Sequence, residues 1–195
     1  MNGKNVLLLL TFVVFLISCS EDRQLQKSIF VNDSTAPGLP EYSELGFNTF
    51  GAYYDREDFI SSATVPMKVI VADGKTAISF IGRKGSSGEV SIIIKREDFL
   101  PATYADLLPL GNTSLALNEE GVKVSIKKSS TEYDAQILSG KITFKKAQNL
   151  LVDKKQVGVI LSGVFELQAI VDGEPVSITE GRFDVSVGEE NFFNY

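Results

Sequence analysis

Residues Val157 to Val187 read VGVILSGVFELQAIVDGEPVSITEGRFDVSV, two long apolar-rich runs hinged on Asp172-Gly173. An Asp-Gly pair between β-branched and aromatic runs predicts a hairpin, because both residues of a tight two-residue turn need positive φ. Two strands therefore cover Val157 to Val171 and Val176 to Val187. In the second, Val176 and Ile178 share one parity, whereas Phe183, Val185 and Val187 share the other. One extra residue near Thr179-Glu180-Gly181 would turn all five toward a core. A β-bulge with Gly181 in the left-handed region supplies it; a strand buried on both faces is the alternative.

The same reading extends outward. Lys141 to Lys145 alternates apolar and polar residues, as does Val122-x-Val124-x-Ile126. Met67 to Ala72 and Lys75 to Gly82 flank Asp73-Gly74, a second hairpin signal, and Glu89 to Lys95 forms another strand. Phe47 to Tyr54 carries aromatics in both parities, which predicts a strand with both faces partly covered. Arg96 to Leu107 has room for a helical turn, but Pro101 and the missing i, i+3, i+4 stripe argue against a longer helix. The expectation is a single all-β domain over residues 46–195, an antiparallel two-sheet β-sandwich of about nine to eleven strands. A closed or partly open barrel gives the same evenly spaced pattern.

Ahead of the domain, Lys4 precedes an apolar run from Val6 to Ile17 and the box Leu16-Ile17-Ser18-Cys19. About twelve apolar residues suit a signal-peptide core and fall short of the roughly 20 a spanning helix needs. The box resembles the lipobox of bacterial lipoproteins, in which the thiol takes a diacylglyceryl group and the freed amine an acyl chain such as palmitate. Residues 1–18 are thus read as the signal peptide and Cys19 as the lipidation site, with cleavage elsewhere or an uncleaved helix as alternatives. Several acyl chains make a stable anchor where one binds only reversibly. Ser20-Glu21-Asp22 resembles the surface-export signal of Bacteroidota lipoproteins, although charged residues are also common in solvated linkers. Residues 19–45, turn-rich at Asp33 to Pro40, are expected to form the lipidated N-terminus and a flexible tether. Asp33-Ser34-Thr35 also resembles a short O-glycosylation motif, which leaves Ser34 and Thr35 as candidates.

Three further segments carry a resemblance over most of the domain: Ser139-Gly140-Lys141-Ile142-Thr143-Phe144, Leu161 to Leu167, and Ile178-Thr179-Glu180-Gly181-Arg182-Phe183-Asp184-Val185. With Asn48-Thr49-Phe50-Gly51 they are similar to a family of Bacteroidota lipoproteins of unknown function. The chain departs from that pattern at Tyr54 to Phe59, where an Asn-Gly turn is usual. The resemblance implies a lipoprotein location and a β fold, and brings no activity.

Composition narrows the chemistry. The 195 residues include no His, no Trp and one Cys. Ser-His-Asp and Cys-His arrangements and His- or thiolate-based metal sites are therefore not available. With Cys19 lipidated, no disulfide can form. The net charge of −6 and scattered lysines disfavour nucleic acid. Asp55, Glu57 and Asp58 are close enough in sequence to suggest a carboxylate pair, or more simply a solvated hairpin tip, and no Asp-x-Asp-x-Asp-Gly calcium loop is present. Arg182 and Asp184, two apart on one strand face, suggest a cross-strand ion pair. No catalytic residue, cofactor site or metal site is assigned. The expected function is a non-catalytic binding or interaction module at the cell envelope. Its expected place is the outer membrane, with cell-surface display or the periplasmic face both open and an envelope protein or glycan as partner. Tyr53, Tyr54 and the tail Phe192-Phe193-Asn194-Tyr195 are the clustered aromatics available for glycan stacking or docking. A carboxylate-dependent hydrolase is a further alternative.

Overall fold

The computed structural model describes residues 27–61, 65–86 and 88–195. Cys19 and Ser20-Glu21-Asp22 lie outside the described residues. Among the described residues eleven strands carry the fold: β1 (Thr49–Tyr54), β2 (Glu57–Ile60), β3 (Met67–Ala72), β4 (Lys75–Lys84), β5 (Glu89–Arg96), β6 (Thr113–Ala116), β7 (Val122–Lys128), β8 (Thr131–Val152), β9 (Lys155–Val171), β10 (Glu174–Gly188) and β11 (Phe192–Asn194). A 3-10 helix, Tyr104–Leu110, sits between β5 and β6, close to the helical turn the sequence allowed. The all-β expectation holds.

Turn chemistry sets the first connections. Asp73 and Gly74 join β3 to β4 with φ of 52° and 71°, and Asp172 and Gly173 join β9 to β10 with 53° and 81°. Both hairpins are the ones the Asp-Gly pairs predict. Asp55-Arg56 and Asp153-Lys154 make the same kind of turn, joining β1 to β2 and β8 to β9, with positive φ at both positions and no glycine. Period-2 alternation then decides what is buried. In β3, Met67, Val69 and Val71 face the core, while Lys68, Ile70 and Ala72 are half-covered.

The strands form one hydrogen-bonded path, β11-β3-β4-β2-β1-β10-β9-β8-β7-β5, and β5 pairs back onto β4. The bonding is therefore ring-like. Opposite sides of the ring meet through their side chains as the layers of a sandwich do. Phe80 of β4 stacks on Phe165 of β9 at 5.3 Å between centroids, although these strands are not neighbours. Phe50, Phe59, Phe144 and Phe183 extend this aromatic core. Edge-to-face and offset pairs of this kind add about 0.5–1.5 kcal/mol each beyond burial. One pair departs from the antiparallel expectation: β11 runs parallel to β3, Phe192 opposite Val69. The turn at Asn191 brings the tail round beside β3 instead of back along β10.

The bulge in β10 falls where the parity change requires it. Ile178 pairs with Leu167 and Gly181 with Phe165, so β10 carries one extra residue. Val176, Ile178, Phe183, Val185 and Val187 are all buried. The left-handed residue, however, is Glu180 at φ 55°. Gly181 is needed for space, since a Cβ there would stand 2.3 Å from the Phe165 carbonyl oxygen.

A larger correction concerns the expected tether. Its C-terminal portion lies on the sheet: Asn32 bridges Pro40, Leu39 is fully buried and Ala36 nearly so. Pro40 covers Gly51, and the Tyr53 hydroxyl donates to the Pro37 carbonyl at 2.9 Å. Burying one leucine side chain contributes about 2 kcal/mol, and polar contacts complete the attachment. A flexible reach through residue 45 does not fit this packing. The sequence hid it because a segment held by side-chain acceptors needs no hydrophobic period.

Candidate functional site

Two residues of β10 hold the N-terminal segment. Asp184, buried in mid-strand, accepts hydrogen bonds from the Leu45, Gly46 and Phe47 amides at 2.9–3.1 Å, from the Ser162 hydroxyl at 2.8 Å and from the Ser43 hydroxyl. Successive amides converging on one carboxylate form an anion nest, and Gly46 at φ 76° gives the loop its curvature. Arg182 pairs with Asp33 and with Glu180, at 2.9 Å for the latter. Arg182 and Asp184 thus share a face as the sequence suggested, but they clamp residues 33–47 rather than make a cross-strand pair.

A cleft of about 290 Å³ lies beside the end of β10. Its walls come from distant parts of the chain: Pro66 before β3, Tyr104 of the 3-10 helix, Leu150 of β8, Gln156 and Gly158 of β9, and the turn Glu189 to Asn191. Each wall is fixed. The Asn191 side chain donates to the Met67 and Ser186 carbonyls at 3.1 and 2.9 Å and accepts from the Gly188 amide at 2.8 Å. Asn48 accepts from the Ser186 amide at 2.9 Å. Asp106 accepts the Ala102 and Thr103 amides at 3.0 and 2.9 Å, which seats the 3-10 helix, and the Tyr104 hydroxyl reaches the Gln156 carbonyl at 3.4 Å. Gly158 and Gly188 lie opposite in register, and a Cβ on either would meet a carbonyl oxygen at 2.8 Å.

One polar group in this wall is unused. The Gln156 side-chain Nε2 is buried and has no hydrogen-bond partner, whereas buried donors are normally satisfied. Exposed Glu189 and Glu190 stand at the rim. The lining therefore combines carboxylate acceptors, a phenol and apolar walls with a residue, Gln156, that holds a spare buried amide donor. That set suits binding of a small molecule with both acceptors and donors.

A second, more open groove of about 440 Å³ is lined by Tyr42, Lys141, Lys145, Glu166, Glu180 and Arg182. Its charges are largely matched internally. Lys145 lies 4.9 Å from the centre of the Tyr42 ring, Lys141 stands opposite Glu166 in register, and Arg182 is already paired. The Glu44 carboxylate accepts from the Tyr42 hydroxyl at 3.0 Å; burial and this carboxylate push the phenol well above its ordinary range.

The acidic and aromatic candidates at Tyr53 to Asp58 and in the tail sit elsewhere. Asp55 accepts the Ser177 amide at 2.8 Å and pairs with Lys84 at 3.2 Å, so it ties the β1–β2 turn to β10 and β4. Glu57 and Asp58 are exposed on β2. The three carboxylates line neither cleft. Tyr54 is a core residue, and burial together with the Asp55 charge pushes its hydroxyl up to about 12. Tyr53 is tied to Pro37. In the tail, Phe192 packs on the core, while Phe193 stacks with exposed Tyr195 at 6.3 Å. Ser34 is exposed, and the Thr35 hydroxyl donates to Asp33 at 2.7 Å. Among the described residues, no group of three or more His, Cys, Asp or Glu is placed to hold a metal ion. The cleft residues carried no sequence signal, because they meet only through pairings across the ring.

Comparison with family models, curated proteins and solved structures gave no match.

Proposed function

We propose that this chain is an outer-membrane lipoprotein, akin to the Bacteroidota lipoproteins it resembles, anchored through acylated Cys19. Its β domain acts as a non-catalytic binding module at the cell envelope. The observation that carries the binding role is the buried, unpartnered side-chain amide nitrogen of Gln156, a residue that lines the cleft. An unmade hydrogen bond of this kind costs about 1–3 kcal/mol, and a ligand acceptor would recover it after a small rotation of the side chain. The ligand class that fits is a neutral, hydroxylated or amide-bearing molecule of sugar size, offering an acceptor to Gln156 and donors to Glu189 and Glu190. Anchoring and surface display rest on the Cys19 box and on Ser20-Glu21-Asp22.

The test combines thermal unfolding with one substitution. Neutral sugars and N-acetylated sugars are screened against the protein and against Gln156→Leu, which keeps the bulk and removes the donor. A ligand at a hundred times its Kd should stabilise the parent by about 2.7 kcal/mol and leave the variant nearly unmoved. Equal shifts in both proteins, or none across the panel, would overturn the assignment of the cleft. Membrane attachment lost in Cys19→Ala, and protease sensitivity in intact cells, check the anchor and its leaflet separately.

A further inference from the structure

Close to the start of the described residues, which begin at Lys27, three consecutive large apolar side chains are exposed, Ile29 by 51%, Phe30 by 48% and Val31 by 42%. Isolated exposed hydrophobics are ordinary, whereas a contiguous run marks a contact surface. This run is held in place. The Ile29 amide donates to the Phe47 carbonyl at 2.8 Å and the Glu41 amide to the Val31 carbonyl at 2.7 Å. Immediately beyond these residues lie the Asp33 to Arg182 ion pair and the Asp184 nest. Leu45, on the loop that enters the nest, is 67% exposed.

We infer that Ile29, Phe30 and Val31 form a membrane-contact patch that seats the domain on the lipid surface. The inference rests on the reading of Cys19 as the anchor. Only residues 20–26 separate Cys19 from Lys27. That length spans at most about 28 Å when extended and about 15 Å as a flexible coil. A lipid on Cys19 therefore keeps the patch close to the headgroups at all times, and the encounter is effectively intramolecular. Exposed Lys27 adds a cation at the depth of the lipid phosphates.

Two other occupants fit less well. Residues 20–26 read SEDRQLQ, with one large apolar side chain among three charges, too polar to cover the run. A second copy of the chain would need about 800 Å² from each partner for a stable interface, more than three half-exposed side chains supply. A bilayer interface needs no matched surface, and apolar side chains enter it singly.

The absence of tryptophan makes the test direct. Phe30→Trp places a single reporter in the patch, and Leu138→Trp places one at an exposed site on β8 next to the Ile137 to Ala169 pair, far along β9 from Ser162. The mature lipoprotein is reconstituted into phosphatidylethanolamine and phosphatidylglycerol vesicles carrying brominated acyl chains. The expected result is blue-shifted, bromine-quenched emission from Phe30→Trp and unquenched, water-like emission from Leu138→Trp. Water-like emission from both, in protein that floats with the vesicles, would overturn the patch while leaving the anchor intact. A concentration-dependent shift without quenching would assign the run to a second copy and also overturn it. If mass spectrometry finds Cys19 unmodified, the anchor reading fails. The patch is then decided by the same quenching measurement on protein coupled through Cys19, its one thiol, to a maleimide lipid.

Discussion

The Gly46 amide points at the Asp184 carboxylate, 2.9 Å from Oδ1 and 3.0 Å from Oδ2. Two further amides and two hydroxyls share that acceptor, so its removal strands several donors at once. Asp184→Ala should cost about 3–4 kcal/mol, given 1–3 kcal/mol for each donor left unpaired and partial rescue by water. Asp184→Asn should be milder, because one oxygen still accepts. Urea unfolding of both variants checks the order, and a loss below about 1 kcal/mol in Asp184→Ala would show that the nest contributes little.

The partner clamp predicts a pH dependence. The Thr35 hydroxyl and amide, followed by the Arg182 guanidinium, hold the Asp33 carboxyl down at about 2 against an ordinary 3.8. A depressed folded-state pKa contributes stability that is present above pH 3.8 and is lost as pH falls toward 2. Asp33→Asn should therefore be less stable than the parent at neutral pH, and the gap should close between about pH 4 and pH 2. A gap that stays constant across this window would remove Asp33 from the account.

Tyr54 offers a substitution with the opposite sign. Its ring is buried under Lys84 Nζ, 4.2 Å from the centroid, while its hydroxyl is buried without a partner. Tyr54→Phe keeps the ring and removes the unmet polar group. The expected change lies between neutral and about 1 kcal/mol of stabilisation, read as an unchanged or raised Tm.

At the bulge, Gly181→Ala and Glu180→Gly should move apart. A methyl on Gly181 collides with the Phe165 carbonyl and ring at 2.3 and 2.6 Å, an overpacking cost of about 1–3 kcal/mol. Glu180 holds φ 55° against its own Cβ and makes an ion pair while 62% exposed. Relief of the backbone and loss of a weak surface pair nearly cancel, so Glu180→Gly should lie within about 1 kcal/mol of the parent. Matched denaturant midpoints for the two variants would argue against this division of roles.

These residues also show how far the sequence could be read. Asp73-Gly74, Asp172-Gly173 and the parity change in β10 are local signals, and each names its feature within a residue or two. Asp153-Lys154 and Asp55-Arg56 make similar turns without glycine, so nothing nearby announces them. β8 extends from Thr131 to Val152, yet only Lys141 to Lys145 alternates cleanly. Extra residues after Ile137 and after Phe144 reset its parity. Ring closure through the β4 to β5 pairing, and the meeting of Tyr104, Gln156 and Asn191 in one cleft, depend on contacts between distant positions. No window along the chain contains them.

The Asp184 nest also has a mechanical consequence. Residues 45–47 attach to a strand 137–139 positions later in the chain, and β10 is bordered by β9 on one side and β1 on the other. Tension arriving from upstream of Lys27 would not peel the sheet from an edge. It would load the Ile29 to Phe47 and Asp33 to Arg182 contacts and then the Asp184 nest, all of which pass the force to β1 and β10 in the interior of the strand order.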